Sequence, residues 1–326
     1  MILAGDVGGT HTVLALFDES GESLRPAREA TYASRDHGSF EELLEKFLRQ
    51  DPRPTVRAAC FGVAGPVVEG RARMTNLPWR LDEMDLARAI GTSQVKLLND
   101  LQAAALGMLH LRRDELVDLN PEARERKGNI AVIASGTGLG EALLYWDGER
   151  HHPVASEGGH VEFAPRTDQE IALLVHLQQA LGGRVSYERV VSGRGLHNIY
   201  QFLRDTGRAP EDAGLARKIA SGDPAAAIGE EGISGRDPLS VAALDLFVSI
   251  YGAEAGNLAL KGMALGGVFV GGGIAPKILP ALRTGAFLRS FVDKGRYTDL
   301  MRGIPVRVAL NPGAPLLGAA HHALGL

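Results

Sequence analysis

Cysteine is almost missing from this chain: Cys60 is the only one among 326 residues. A single thiol excludes an intrachain disulfide and any zinc site that needs two or more cysteines. Such low cysteine use fits a reducing compartment. We therefore expect a cytoplasmic protein.

An excess of basic charge is also missing. Lys and Arg number 35 against 39 Asp and Glu, which gives a formal net charge of −4. This balance offers no long-range attraction to nucleic acid or to an anionic membrane. Residues 1–6 have no basic region before their short apolar run, and the most apolar later stretch, 258–274, contains Lys261 and several glycines. We expect neither a nucleic-acid partner nor a membrane partner.

Several familiar nucleotide-binding signatures are absent from the sequence. The pattern G-x-x-x-x-G-K-[ST] does not occur, so the chain is not a P-loop enzyme, and no G-x-G-x-x-G opens a helix after the first predicted strand. The HRD and DFG signatures of protein kinases are missing as well.

The hydrophobic pattern predicts an α/β protein. The length is compatible with two domains, and the hydrophobic content of 45% and charged content of 23% are ordinary for a globular protein. Short buried strands are predicted at 2–6, 13–17, 55–63 and 95–98, and an Ala/Leu-rich helix at 101–111. Alternating strands and helices are typical of α/β folds.

The second half of the chain opens in the same way as the first. Strands at 130–134 and 141–146 flank a tight loop at 135–140, so that strand, glycine-threonine turn and strand occur twice, about 130 positions apart. This repeat indicates two related α/β halves with a cleft between them; two unrelated glycine turns are the alternative.

The remaining pattern predicts a long helix, a strand and a terminal helix. The helix covers 237–260, the strand 268–270 and the terminal helix 315–324, which we expect to return to the first half. Polar segments at 120–128 and 204–238 are predicted to be exposed connections or a helical excursion.

Two glycine loops stand between pairs of predicted strands: Gly8-Gly9-Thr10 and Gly136-Thr137-Gly138. Glycine permits positive φ and lets an oxygen approach backbone N–H groups closely. Inward-pointing N–H groups form an anion-binding nest, to which a threonine hydroxyl adds a donor. A plain hairpin turn is the alternative for either loop alone. A third cluster, Gly271-Gly272-Gly273, favours phosphate binding, and Asp6 is placed to hold the water shell of Mg²⁺.

Asp100 stands at the end of a predicted strand, just before a helix. In open α/β folds ligands bind beyond the carboxyl ends of the strands, so this acid is well placed for chemistry. The alternative is structural, because Asn99 and Gln102 have the spacing of a capping box and an acid is favourable at a helix N-terminus. The roles are compatible, since Asn99 can cap the helix while Asp100 faces the cleft.

Carboxylates and a histidine cluster in the segment 156–163, which contains Glu157 and His160, and Glu188 follows later. Carboxylates can accept hydrogen bonds from two neighbouring sugar hydroxyls, while imidazole can donate and accept. Buried contacts of this kind discriminate against analogues that lack a hydroxyl. Three alternatives remain open: a solvated loop, a helix N-terminal acid in the case of Glu188, and a metal site built from His151, His152, His160 and Glu157.

Taken in order, these motifs resemble those of bacterial glucokinases, in the hexokinase-like part of the actin/Hsp70/sugar-kinase superfamily. The motifs extend over most of the chain and are specific in combination: they are 5–10 (GDVGGT), 98–100 (LND), 134–140 (ASGTGLG), 156–160 (SEGGH), 188–193 (ERVVSG) and 271–274 (GGGI). The resemblance implies a two-domain actin-like ATPase (ribonuclease H-like) fold with a cleft between the domains. We expect a small domain at 1–110 plus 310–326 and a large domain at 111–309.

The resemblance also implies roles for individual residues. Asp100 looks like the catalytic base, and glucose contacts are implied for Asn99, Asp100, Glu157, His160 and Glu188. The first phosphate loop comprises Gly5, Asp6, Val7, Gly8, Gly9 and Thr10, with Asp6 near Mg²⁺ through water and no direct protein ligand to the metal. The second phosphate loop comprises Gly136, Thr137 and Gly138, and the residues near adenosine are Gly272 and Gly273. The implied ligands are glucose, ATP and Mg²⁺, and the implied assembly is a homodimer.

One departure from related families is informative. ROK kinases and repressors carry a cysteine-rich zinc motif after the sugar-binding histidine, and this chain has no cysteine there. ROK repressors also begin with a DNA-binding domain, whereas the phosphate loop here begins at residue 5. Both features favour the zinc-free glucokinase branch.

The resulting hypothesis is ATP-dependent phosphorylation of D-glucose to glucose 6-phosphate, the first step of glycolysis. Two rival hypotheses remain: a non-catalytic sugar sensor on the same scaffold, and a kinase for another hexose such as mannose, fructose or an amino sugar.

Overall fold

A computed structural model describes residues 1–18, 24–49, 52–74 and 77–326 of the chain. These residues form two compact units. The first unit comprises Met1–Arg112, Pro153–Ala155 and Asn311–Leu326, and the second comprises Arg113–His152 and Ser156–Leu310.

The described strands are β1 Ile2–Val7, β2 His11–Phe17, β3 Pro26–Ala33, β4 Ala58–Val63, β5 Val67–Val68, β6 Arg71–Arg73, β7 Arg80–Asp82, β8 Gln94–Asn99, β9 Leu116–Asp118, β10 Ile130–Ser135, β11 Leu139–Trp146, β12 His151–Ser156, β13 Gly267–Gly271 and β14 Val306–Ala309. The described α-helices are α1 Phe40–Leu48, α2 Glu83–Ile90, α3 Asp100–Met108, α4 Asp168–Leu181, α5 Gly193–Asp205, α6 Ala213–Ser221, α7 Pro224–Ser234, α8 Pro238–Lys261, α9 Leu279–Leu282, α10 Ala286–Val292, α11 Thr298–Arg302 and α12 Ala314–Leu324.

The main sheet of the first unit has the strand order β3-β2-β1-β4-β8. β1 and β2 form an antiparallel hairpin, whereas β1, β4 and β8 are parallel, so their carboxyl ends lie at one edge of the sheet. In the register of these strands Asp6 lies opposite Gly62, and Val63 lies opposite Asn99. All four strands that the sequence predicts in this half are present.

Two glycines let α3 and α12 of the first unit pack backbone against backbone. A side chain at Gly107 would meet the carbonyl oxygen of Ala314 at 1.8 Å, and one at Gly318 would meet that of Ala103 at 1.9 Å. Because these obstacles are backbone atoms, they cannot rotate away. The predicted terminal helix thus lies directly against the helix that begins at Asp100.

The six-stranded sheet of the second unit has the order β12-β11-β10-β13-β14-β9. An antiparallel hairpin, β10–β11, is followed in the sheet by two parallel strands, β13 and β14. The strands β11-β10-β13-β14 therefore repeat the order and the directions of β2-β1-β4-β8 in the other sheet. The repeated strand, glycine turn and strand in the sequence thus reflects a repeated sheet topology.

Helix α8 forms the core of the second unit. It begins with the Asp237 cap, whose carboxylate accepts from Ser240 N–H at 2.7 Å, and Pro238 occupies its first turn. The helix is long and apolar enough to cross a membrane by length and composition, but 78% of its apolar window is buried inside the protein. A buried core helix has this composition because every face contacts other elements.

The sequence pattern predicts several element boundaries and misses other elements. Helix α3 ends at Met108 rather than at residue 111, because the N–H groups of Leu109 and His110 bond to carbonyls three residues back and tighten the last turn. The segment 204–238 is a helical excursion that contains α6 and α7. The elements that the pattern misses are β3, β9, β12, β14, α1, α2, α4, α5, α9, α10, α11 and the small sheet β5-β6-β7.

Candidate active site

Two carboxyl groups lie near each other at the carboxyl edge of the first sheet. Asp6 is near the end of β1, and Asp100 directly follows β8 as the first residue of α3. Burial, and secondarily the negative charge of Asp100, raise the pKa of Asp6 to about 6. Such a shifted carboxyl is characteristic of a site that binds a cation or moves a proton.

The capping role predicted for Asn99 is confirmed. Its side-chain oxygen accepts from Leu101 N–H at 2.9 Å, and Gln102 Oε1 accepts from Asn99 N–H at 3.1 Å, which completes the capping box. Asn99 Nδ2 donates to the Gly65 carbonyl at 3.1 Å. These bonds fix the start of α3 and the backbone of Asp100.

Asp100 is half-buried, and one of its carboxylate oxygens also accepts from Leu101 N–H at 2.9 Å. The arrangement holds the carboxyl in a defined position at the helix N-terminus, where an anion is favoured. The structural role at the helix N-terminus therefore leaves the half-buried carboxyl group of Asp100 beside that of Asp6.

Gly62 is a site-forming residue that the sequence analysis misses. A side chain there would come within 2.8 Å of Ala103 Cβ, and it would lie 3.8 Å from Asp100 Cα and from the Gly5 carbonyl oxygen. The absence of a side chain at this position of β4 thus lets the start of α3 approach the sheet beside β1. The sequence contains no glycine pair or motif here to mark the position.

The first glycine turn is a hairpin stabilised from outside by a serine. Gly8 N–H donates to the His11 carbonyl at 3.0 Å, and Ser34 Oγ donates to the Gly8 carbonyl at 2.7 Å. Gly9 is half-buried and Thr10 is exposed at its tip. The loop therefore has the geometry of a hairpin turn, which was the alternative to an anion-binding nest. Its tip is accessible to a ligand.

Gly5 and Val7 belong to strand β1 rather than to the turn. A side chain at Gly5 would approach Phe61 and Leu14 side chains to 2.7 and 2.8 Å, so glycine is required there by core packing. Val7 is buried, and its carbonyl accepts from Ala64 N–H at 3.1 Å. These two residues support the first loop from within the sheet.

Positive φ does not account for most of the glycines in these loops. Gly5, Gly8, Gly136 and Gly138 all lie outside the left-handed region, and among the glycines assigned to the site only Gly272 lies in it, with φ of 81°. Of the two properties of glycine considered for the first two loops, positive φ is thus the one that they do not use. Close approach of neighbouring atoms requires glycine at Gly5 and Gly8, whereas an added methyl group at Gly136 would meet no atom within 4 Å.

The second glycine loop lines a cavity of about 670 Å³ within the second unit. Gly136 N–H donates to the Gly138 carbonyl, and the Gly136 carbonyl accepts from Gly193 N–H, both at 2.9 Å. Thr137 is exposed to the cavity. A cavity of this size, bordered by backbone amides, is suited to a nucleotide-sized ligand.

Most of the walls of this cavity are not predicted from the sequence. Gly273 is part of it, as expected, but the starts of α5 and α7 also contribute, with both helix N-termini at the cavity. The additional lining residues with polar or charged groups are Arg194, His197, Asp223, Glu230 and Lys277. The sequence pattern assigns none of them to a site, although Arg194 directly follows the motif at 188–193.

The turns that carry Glu157, His160 and Glu188 lie beside the start of β11. Glu188 Oε2 accepts from Leu139 N–H at 3.2 Å. The turn Gly158–His160, which follows Glu157, lies so close to β11 that a side chain at Gly159 would be 2.0 Å from the Leu139 carbonyl oxygen. The structure thus brings Glu157, His160 and Glu188 to one place beside Gly138.

Glu157 and His160 are exposed, and Glu188 is half-buried. The carbonyl of His160 accepts a hydrogen bond from Arg184, whose Nε also donates to Glu162 at 2.7 Å. The side chains of this cluster are therefore accessible, while their backbone is fixed by neighbouring elements.

The four residues of the alternative metal site, His151, His152, His160 and Glu157, do not come together as a metal-binding group. His151 Nε2 bonds with the Gly128 carbonyl at 3.0 Å, and His152 Nε2 bonds with Asp147 at 2.5 Å. No group of three or more His, Cys, Asp or Glu in the part of the chain that the structure describes is arranged to hold a metal ion.

Gly272→Ala is expected to destabilise the second unit strongly. Its φ of 81° disfavours alanine, and the added methyl group would lie 2.2 Å from the Ser135 carbonyl oxygen. We expect the free energy of unfolding to fall by about 3 kcal/mol or more, since backbone strain and a backbone clash add. Chemical denaturation of the purified variant measures this change.

Gly182→Ala is the matched control for this substitution. Gly182 also has positive φ, 73°, but no atom lies within 4 Å of the added methyl group. We expect a loss of about 1 kcal/mol, the cost of the left-handed backbone alone. Equal losses in both variants would contradict the clash at Ser135.

Comparisons with known proteins agree over nearly the whole chain. A family model described as Glucokinase matches residues 3–325. A curated glucokinase from Nostoc sp. is 42% identical over 334 aligned residues, which cover 98% of each chain. The crystal structure of a glucokinase from an Antarctic psychrotroph is 30% identical, with a TM-score of 0.86 and coverage of 100% of this chain and 99% of that one.

A more distant structure shares the fold. A ROK family glucokinase from Streptomyces griseus, solved in complex with glucose and AMPPNP, is 22% identical, with a TM-score of 0.65 and coverage of 100% and 99% of the two chains. The α/β fold in two units is therefore the actin-like fold of sugar kinases.

Proposed function

The chain belongs to the glucokinase family, and from this premise we propose that it transfers the γ-phosphoryl group of ATP to the 6-hydroxyl of D-glucose. The product is glucose 6-phosphate, and the reaction is the first step of glycolysis. The observation that carries the proposal is the family match over nearly the whole chain. The paired carboxyl groups of Asp6 and Asp100 at the sheet edge support it, because an alcohol kinase needs a base and a cation site.

Asp100 is proposed as the catalytic base. The capping box and the bond from Leu101 N–H hold its carboxylate in place, so that it can orient the 6-hydroxyl and accept its proton late in the reaction. Phosphoryl transfer depends otherwise on positioning and on stabilisation of charge.

Glucose is proposed to contact Asn99, Asp100, Glu157, His160 and Glu188. The convergence of the turns that carry the last three at the start of β11 supports this assignment. Carboxylates that accept from adjacent hydroxyls orient the sugar ring and thus direct one hydroxyl towards the phosphate. We further propose that domain closure excludes water, which would otherwise hydrolyse ATP.

ATP is proposed to occupy the cavity beside Gly136–Gly138, with Gly272 and Gly273 near its adenosine. The backbone amides of this loop and of the turn at Gly8–Thr10 would stabilise phosphate oxygens.

Mg²⁺ is the implied metal, and the residues present fit it. Asp6 offers the carboxylate oxygens that Mg²⁺ prefers, and its raised pKa indicates a group whose ionised form gains from a cation nearby. Asp6 would hold the ion through its water shell. When bound, Mg²⁺ neutralises charge that develops on the transferred phosphoryl group.

The two compact units are proposed to act as the small and large domains of the kinase, close to the boundaries at 110 and 310 expected from the sequence. We also propose that the chain works as a cytoplasmic homodimer, as its resemblance to bacterial glucokinases implies.

A sugar panel tests the proposed reaction. The full chain is supplied with Mg²⁺–ATP and with glucose, mannose, fructose or glucosamine, and ADP is measured by an enzyme-coupled assay. We expect one glucose 6-phosphate per ADP, and a kcat/KM for glucose at least about tenfold above that for any other sugar. Replacing ATP with polyphosphate tests the phosphoryl donor.

The outcomes separate the rival functions. Glucose binding in calorimetry without ADP release would indicate a sugar sensor. A higher kcat/KM for another hexose would assign the same chemistry to a different substrate. Neither result is expected, because both glycine loops and Asp100 are intact.

A further inference from the structure

Two glutamates lie buried in the second unit outside the proposed contact residues. Glu141 in β11 is 1% exposed, and Glu254 in the middle of α8 is 0% exposed. Two neighbouring carboxyl groups in a protein interior cannot both ionise without a large energetic cost, so such a pair shares one proton.

The surroundings decide which member carries the negative charge. Glu254 Oε2 accepts from Asn257 Nδ2 at 2.8 Å, and Glu254 Oε1 lies 3.5 Å from Lys261 Nζ. Glu141 Oε1 has no donor among the described residues. An acceptor without a donor is costly in the interior, whereas a protonated Glu141 that donates to Glu254 satisfies both groups.

The shift in the pKa of Glu141 agrees with this arrangement. Burial, and then the negative charge of Glu254, raise that pKa well above its usual range, while Lys261 acts in the opposite direction. At neutral pH Glu141 is therefore a carboxylic acid.

Glu141 also supports the turn that follows Glu157. A side chain at Gly158 would lie only 2.0 Å from Glu141 Oε2, so the turn backbone rests directly on this carboxyl group. Ser156 Oγ accepts from Gly158 N–H at 2.9 Å and fixes the same backbone. A displacement of the Glu141 side chain must therefore move the turn.

The same network reaches the turn of Glu188. Asn257 Nδ2, which donates to Glu254, lies 3.1 Å from the hydroxyl of Tyr187, the residue before Glu188. Burial raises the pKa of the Tyr187 hydroxyl, and the charge of Glu254 raises it further. The turn of Glu157 and His160 thus rests on Glu141. The turn of Glu188 is linked to Glu254 through Asn257.

We infer that Glu141 is a positioning residue: as a carboxylic acid bonded to Glu254, it holds the turns of Glu157, His160 and Glu188 in the geometry that binds the sugar. The inference rests on the proposed function for the identity of the ligand. The positioning depends on a single proton held between the two buried carboxyl groups.

Removal of that proton at alkaline pH leaves two adjacent buried anions. Their repulsion displaces Glu141 from beneath Gly158, so the affinity for glucose falls as pH rises through the raised pKa. The other titratable or charged groups that face the pair are Lys261 and Tyr251 on α8, Tyr187 beside Glu188, and Lys294 after α10. They are unchanged in a variant of Glu141, so a comparison of variants isolates the proton on the pair.

Glu141→Gln is the decisive variant, because glutamine keeps the shape and can donate to Glu254 at every pH. The dissociation constant for glucose is measured by calorimetry without ATP, from about pH 7 to about pH 9.5. For the unaltered chain we expect it to rise by about tenfold or more across this range, and for Glu141→Gln by less than about threefold. The two chains should bind glucose equally at neutral pH.

Infrared spectroscopy gives a second readout that needs no glucose. The unaltered chain should show the carbonyl band of a buried carboxylic acid at neutral pH, and this band should be missing in Glu141→Gln and disappear at alkaline pH. A missing band, or an equal rise of the dissociation constant in both chains, would overturn the positioning role. Absence of glucose binding at every pH would refute the proposed function itself, and with it the role.

Discussion

Asp100→Asn is expected to lower kcat by about 10² to 10⁴-fold, the usual contribution of a positioned general base. Asparagine keeps the side-chain oxygen that accepts from Leu101 N–H, so α3 and its capping box remain intact. The substitution removes the negative charge of Asp100 and with it the proposed capacity to accept the proton of the 6-hydroxyl. Steady-state kinetics gives kcat, and calorimetry should show that glucose still binds.

Asp85→Asn is the matched control for charge removal. Asp85 also lies in the first turn of a helix of the first unit, where it pairs with Arg88, but it is exposed. We expect its kcat to stay within about twofold of the unaltered chain, since surface substitutions away from a site have small effects. An Asp100→Asn variant that retained a tenth of the original activity would remove Asp100 from the role of base.

Much of the site could be predicted where its signals are local. The hairpins at Gly8–Thr10 and Gly136–Gly138 each arise from two apolar runs around a glycine turn, and the capping box needs only Asn99 and Gln102 at the correct spacing. The placement of Asp100 at a sheet edge follows from the strand that precedes it. Such features depend on a few consecutive residues, so a single sequence suffices to predict them.

Features that depend on tertiary packing could not be predicted in this way. Gly62 matters because Ala103 and Asp100 approach it from a different element, and Lys277 lines the cavity together with residues of α5 and α7. The pair Glu141 and Glu254 is brought together by a strand and a helix far apart in the chain. No local spacing encodes these approaches, because they arise only when the elements pack.

The glycines also combine a feature that the local sequence predicts with one that only tertiary packing explains. The sequence predicts that glycine is required in the loops, but it does not predict why. At Gly138 the reason is the side chain of Glu188, whose Oε2 would lie 2.6 Å from an added methyl group. At Gly272 it is positive φ together with the Ser135 carbonyl. The cause in each case is a partner from elsewhere in the fold.

Asp6→Asn is expected to abolish most activity and yet stabilise the chain in the absence of ligands. The pKa of Asp6 is raised from 3.8 to about 6, so the folded state holds a proton in this window that the unfolded state has released. Stability therefore falls as pH rises between these values, and above about pH 6 the full cost of the buried anion, at most about 3 kcal/mol, is present. Asparagine removes that cost.

Thermal unfolding of the ligand-free chains measures the stabilisation expected for Asp6→Asn. The variant should unfold at a higher Tm than the unaltered chain at neutral pH, by about 2–4 °C for each kcal/mol gained, and the difference should vanish below about pH 4. Asp36→Asn, at an exposed position of the same unit, is the control and should change stability by less than about 0.5 kcal/mol.

Mg²⁺–ATP should reverse the order of stability, so that the unaltered chain unfolds at a higher Tm than Asp6→Asn. A cation beside an ionised Asp6 offsets the repulsion from Asp100, so the nucleotide complex should stabilise the unaltered chain more than the variant. We expect kcat/KM of the variant to fall by about 10²-fold or more, since it loses charge stabilisation of phosphoryl transfer. A carboxyl group that destabilises the ligand-free protein is expected at this position only if ligand binding offsets the cost. A variant that was both less stable without ligand and fully active would therefore show that Asp6 stabilises the fold and does not serve the metal.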